Sequence, residues 1–137
     1  MEWFRRRMRR EDGAVAVEFI IIAPILVIVL FAIIEFGIVW SQLENYVSAA
    51  REGARYAAVR CQPDSATGCT NTLIANRVTA ASTDTISPGP VTANINCDTS
   101  TVGQLVTVSW QQDLTYSIPF LGTHTYTDTI KGSFRCE

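Results

Sequence analysis

The chain has 137 residues, 47% of them hydrophobic, and a formal net charge of −2. The charge is unevenly spread: Arg5, Arg6, Arg7, Arg9 and Arg10 crowd the N-terminus, and the part beyond residue 40 is mildly acidic. A mildly acidic body makes nucleic acid a poor partner, and the length leaves room for one small domain, not two.

Residues 1–13 (MEWFRRRMRREDG) read as a short basic leader, cytoplasmic and poorly ordered. The five arginines are most simply a positive-inside signal that keeps the N-terminus in the cytoplasm and sends the remainder across. Residues 14–40 follow, apolar from Ala14 to Trp40 except for Glu18 and Glu35. A helix needs about 20 apolar residues to cross a bilayer, so this run is long enough. It is too long for the apolar part of a cleaved secretory signal, about 7–15 residues, and the bulky Phe36-Gly37-Ile38-Val39-Trp40 offers no small-residue cleavage site. The segment is expected to stay as a single-pass anchor, with Pro24 tolerated inside it. Glu35 lies roughly 26 Å beyond Glu18 along a helix, near the outer interface, with Trp40 as an interfacial anchor.

Two features set the run apart from a plain anchor. Glu18 lies inside it, where a carboxylate costs roughly 2.5–3.5 kcal/mol at the helix centre. Gly13 stands just before the run, behind the basic leader, with Glu18 the fifth residue after it. Glycine, four apolar residues, Glu18 and then the aromatic Phe19 resemble the processing site of type IV prepilins. The Glu18-Phe19 pair, the early Pro24 and Ala49-Ala50-Arg51-Glu52-Gly53-Ala54-Arg55 are similar to the TadE-like branch, minor pseudopilins of tight-adherence (Tad, Flp) pilus systems. The resemblance covers about the first 60 residues and implies cleavage by a prepilin peptidase between Gly13 and Ala14. It also implies that Glu18 pairs with the terminal amine of a neighbouring subunit, since Ala14 and Glu18 are one helical turn apart. The plainer alternatives are a border glycine before an uncleaved anchor, and a Glu18 that snorkels to the cytoplasmic face or meets the leader arginines.

Residues 41–60 continue the helix in amphipathic form. Leu43, Tyr46, Val47, Ala50, Ala54, Ala57 and Ala58 recur at spacings of three and four, with Arg51 and Arg55 on a solvated face. Pro63 forbids easy continuation past Arg60–Cys61. Residues 62–68 read as a loop. The spacing predicts a second helix over Asn71–Ala81, capped by Thr70 or Asn71. After a Ser/Thr/Pro/Gly-rich connection, strands are expected over Val91–Cys97, Gln104–Tyr116 and Thr123–Arg135, with a turn at Pro119 and Gly122. Short links between them suggest an antiparallel sheet packed on the Ala-rich half of the helix, with Trp110 in the core. The class is α+β: a long N-terminal transmembrane helix, a short second helix and a small antiparallel sheet, the layout that pilin resemblance also implies.

Cys61, Cys69, Cys97 and Cys136 make up residues 61–137's even complement on the exported side, which reads as two disulfides. Three pairings are open. Cys61–Cys69 with Cys97–Cys136 is favoured, because neighbouring cysteines on one loop meet easily. Without a close C-x-x-C pair, and with one histidine, His124, a zinc site is poorly supported. No catalytic constellation, phosphate loop or calcium loop is evident, so no cofactor is expected and no enzyme is inferred; a membrane-tethered enzyme ranks last. The expected function is that of a minor pilin or pseudopilin in Tad pilus initiation, anchoring or adhesion. Its expected partners are prepilin peptidase, other pilins through the helix, inner-membrane assembly proteins and the bilayer. The alternative is a signal-anchored protein whose disulfide-bonded ectodomain binds a surface ligand.

Overall fold

The computed structural model describes residues 2–60, 70–86, 90–94, 97, 102–119 and 121–136, with side chains from residue 13 onward. The fold is α+β, built on one long helix. Helix α1 (Glu2–Arg60) has 59 residues with Pro24 inside it, about 88 Å at 1.5 Å per residue. It begins earlier than expected: residues 2–12, read above as a poorly ordered leader, are helical. The physical reason is cooperativity. Arginine, methionine and glutamate are good helix formers, and extending an existing helix avoids the nucleation cost.

Helix α2 (Asn71–Ala81) starts at Thr70, whose side chain accepts from the Leu73 amide, and stops where Ser82 turns extended. Strands β1 (Thr92–Ala93), β2 (Leu105–Ile118) and β3 (Gly122–Arg135) form an antiparallel sheet in the order β1-β2-β3. The β2–β3 ladder runs without interruption from Leu105↔Arg135 to Ile118↔Gly122. Its turn is closed by the Leu121 amide on the Ile118 carbonyl at 3.0 Å, and Gly122 takes φ +89°, where a side chain is strained.

Strand β1 is shorter than the expected Val91–Cys97. Asn94 explains where it stops. Its backbone amide still donates to Thr107 O at 3.2 Å, but the Thr107 amide is taken by the Asn94 side-chain oxygen at 3.0 Å. A local side-chain acceptor thus replaces the backbone carbonyl and ends the ladder. Residues 95 and 96 lie outside the described residues.

Alternation along β2 divides the sheet cleanly. Val106, Val108, Trp110, Gln112 and Leu114 are buried toward the helices. The opposite face carries hydroxyls paired across strands, such as Thr107–Ser133 at 2.9 Å and Thr127 on Asp113 at 2.6 Å. Gln112 is buried but satisfied, accepting from the Trp110 indole at 3.1 Å. The apolar face rests on Ala49, Ala50, Ala54, Ala57 and Ala58 of α1, all under 4% exposed.

Two glycines set how closely the layers approach. A Cβ on Gly132 of β3 would fall on the backbone of Ala50 and Arg51, and one on Gly53 of α1 would fall on the Val78 side chain of α2. Cys97 and Cys136, both buried, form a disulfide with a Cα separation of 5.5 Å. It ties the segment after β1 to the end of β3. Cys61 and Cys69 lie outside the described residues.

Candidate assembly helix

From Gly13 to Phe31 the side chains of α1 are exposed, apart from the partly buried Ala23 and Ile28. Phe19 and Leu26 are 69% and 67% open, and the most apolar 18-residue window has mean hydropathy 3.1 with none of it buried. By length and composition this helix can cross a membrane. In water so much apolar surface is costly, at about 25 cal/mol per Å². The domain cannot cover it, because the sheet and α2 occupy the other end of α1. Those residues thus require lipid or another protein.

Within this stretch Glu18 is exposed, and among the described residues no basic group pairs with it. Ala14 and Phe19 are exposed beside it. Gly13 is helical, and a Cβ there would meet nothing within 4 Å. Packing therefore does not ask for glycine at this position, and a helix interior disfavours it by roughly 1 kcal/mol relative to alanine. The side chains of Arg5, Arg6, Arg7, Arg9 and Arg10 lie outside the described residues.

The C-terminal half of α1 is a docking platform. Glu52, half-buried, binds Arg77 of α2 at 2.6 Å, with Arg55 at 4.0 Å. Arg51 and Arg55 face solvent as their spacing implied. Asn45 donates to Asp84 at 3.0 Å and to Ser82 at 3.3 Å, and the Tyr46 phenol donates to Thr85 O at 3.2 Å. Burial first, and the Asp84 carboxylate second, raise the Tyr46 phenol, keeping it a protonated donor. These bonds clip the connection after α2 onto α1, just outside the apolar run.

The hairpin reaches beyond this platform. Tyr116 and Ile118, near its turn, face Ala32, Glu35, Phe36 and Val39 of α1 across an apolar cleft of about 250 Å³. Phe36 and Trp40 stack with centroids 6.0 Å apart, and Tyr116 stacks on His124 at 5.6 Å. His124 is exposed and lies near Leu121 O at 3.3 Å. Among the described residues no group of three His, Cys, Asp or Glu side chains stands close enough to hold a metal.

The exposed apolar half, the lone acidic residue near its start and the small-residue half under the sheet form one continuous segment. Residues 13–55 match the family model described as TadE-like protein. This TadE-like segment begins at Gly13 and ends at Arg55, so it contains the apolar run, Glu18, Pro24 and the Ala/Arg/Gly stretch at Ala49–Arg55. It covers about a third of the chain. No curated protein and no solved structure matches. The TadE-like segment takes in most of the α1 surface that carries the sheet, Gly53 included.

Sequence reasoning missed three features that matter here. Glu52–Arg77 joins residues far apart in the chain, and no local pattern signals it. The cleft under Tyr116 depends on how far the hairpin overruns the platform. Gly132 was detectable, since an isolated glycine inside a strand marks a close backbone approach.

Proposed function

We propose that this chain is a minor pilin or pseudopilin of a Tad (Flp) pilus, held in the inner membrane by α1 with its C-terminal domain on the exported side. One observation carries the reading: a TadE-like helix whose first half is exposed and apolar while its second half carries a folded domain. Prepilin peptidase would cut between Gly13 and Ala14, which accounts for a helical glycine that no packing contact requires. The new amine on Ala14 and the Glu18 carboxylate then sit one turn apart on an apolar surface. A lone carboxylate there is costly, and an amine from a neighbouring subunit offsets that cost. Docking of α1 beside another pilin helix relieves this cost and selects the register. Initiation or anchoring of the fibre suits a subunit with a bulky folded domain. In this account the domain does no chemistry.

The test replaces Glu18 in the native host. Glu18→Leu keeps the helix apolar and is expected to leave membrane insertion and leader removal intact. Pilus number, or recovery of this protein with pilus components, should fall by about tenfold or more, in line with loss of a desolvated charge pair. Glu18→Gln, similar in shape but neutral, should fall as well. Wild-type assembly by both variants would remove Glu18 from the mechanism. Unaltered pilus number on deletion of the whole protein would count against the pilin reading itself.

A further inference from the structure

The β2–β3 hairpin does not stop at the platform on which its base is packed. Tyr116 and Ile118 stand over α1 at Ala32–Val39, about 27–38 Å from Ala14 along the axis. A bilayer hydrocarbon core is about 30 Å thick. Charges on α1 define the same level independently. Between Asp12 and Glu35 the helix carries only Glu18, and those two positions are about 35 Å apart. Glu35, the first charge on the far side, is itself a wall of the cleft beneath Tyr116 and Ile118.

The tip also has the chemistry of that level. Between Asp113 and Asp128 the sequence has no Asp, Glu, Lys or Arg. Leu121 at the turn is 63% exposed, and β3 is exposed from Gly122 to Thr127. Behind the apolar turn come the stacked Tyr116 and His124, rings with polar tips, and on α1 Trp40, 54% exposed. Apolar groups at the end, followed by amphipathic aromatics, is the order in which a bilayer interface is entered.

We propose that the tip of the β2–β3 hairpin, through Ile118 and Leu121, is a second membrane contact that enters the outer interfacial layer of the bilayer crossed by α1. The proposal rests on the reading of α1 as the spanning helix. The occupant of the tip surface and of the cleft is then lipid, whose acyl chains fill a space that water would fill at a cost. The contact fixes the tilt of α1 and the orientation of the domain over the membrane, since the protein is held at two places instead of one.

The full chain, reconstituted in phosphatidylcholine vesicles containing a phosphatidylcholine with a photoactivatable acyl-chain diazirine, tests this. Adducts are mapped by fragmentation mass spectrometry. Two sets are expected, one within the first half of α1 and one at the hairpin turn around Leu121. Leu121→Glu, at an exposed site that folding does not need, should lower the turn adducts at least about fivefold while those on α1 persist. Adducts on α1 alone would overturn the hairpin contact and leave the spanning helix standing; their absence from both would remove both. Turn adducts unchanged by Leu121→Glu would mean mere nearness to α1, which also overturns the proposal. Turn adducts that emerge only on dilution of the protein in lipid would show that a second copy covers the tip instead.

Discussion

Gly132→Ala is expected to destabilise the domain by about 3 kcal/mol or more, the upper end of overpacking effects. The added methyl would fall on the main chain of Ala50 and Arg51, and it would also lie 2.7 Å from Ala50 Cβ. A side chain in its place could rotate away; helix backbone cannot. The only relief is to lift β3 off α1, which opens the contact that buries Ile130, Trp110 and the alanine row. Urea unfolding of the full chain in detergent measures the loss as a lower midpoint with unchanged slope. Gly37→Ala is the control, since nothing lies within 4 Å of its added Cβ. It should be neutral or stabilising by up to about 1 kcal/mol, because alanine favours the helix. Equal stability of the Gly132→Ala and wild-type proteins would contradict the close approach of β3 to α1.

Cys97→Ser is expected to cost about 4 kcal/mol. Cys97 and Cys136 are 39 residues apart, and the chain-entropy model gives that magnitude for a loop of this length. Both ends are buried, and neither has freedom to spare. The Cys136 amide donates to Gln104 O and its carbonyl accepts from Gly103, both at 2.9 Å. With the bridge gone, a buried serine hydroxyl replaces one sulfur and β1 keeps only its short ladder to β2. The same unfolding assay measures the effect. A loss below about 1 kcal/mol would mean that the sheet holds the two segments together without the bridge.

Much of the architecture was legible because local rules and tertiary packing agree. The apolar run from Ala14 to Trp40 leaves no alternative to a helix of membrane length. The Thr70 cap and the spacing of Ile74 and Val78 place α2 where it is found. The β-branched and aromatic run from Leu105 marks β2 and Trp110 lies in the core as expected, though the strand runs on to Ile118, past the expected end at Tyr116.

What failed did so for identifiable reasons. The leader is helical because it inherits a nucleus from the run behind it, which no window confined to residues 1–12 can reveal. Strand β1 stops at Ala93 because the Asn94 side chain takes a backbone carbonyl's place. Gly13, Ala14, Glu18 and Phe19 form a pattern that is readable in the sequence, and the matched segment begins at Gly13; their roles in processing and assembly belong to the proposal. The cleft beneath Tyr116 and Ile118 was not read, although simple arithmetic points to an overrun of the hairpin. A 14-residue strand reaches about 46 Å, while α1 from Tyr46 to Ala58 offers about 18 Å of platform. The hairpin has to overrun it, and it does so toward Ala32–Val39 of α1.

Division of α1 into an exposed apolar half and a domain-bearing half is central to this account, and in the function proposed for the chain, leader removal is the step that makes the first half competent. Intact mass of the protein purified from its native membrane, with Gly13→Leu alongside, tests this most directly. The account predicts a native mass corresponding to residues 14–137 with the Cys97–Cys136 disulfide intact, and retention of the leader in the variant. A native mass that still includes residues 1–13 would contradict it. Glu18 would then have no amine to pair with, and the chain would stand as a signal-anchored membrane protein with a folded ectodomain.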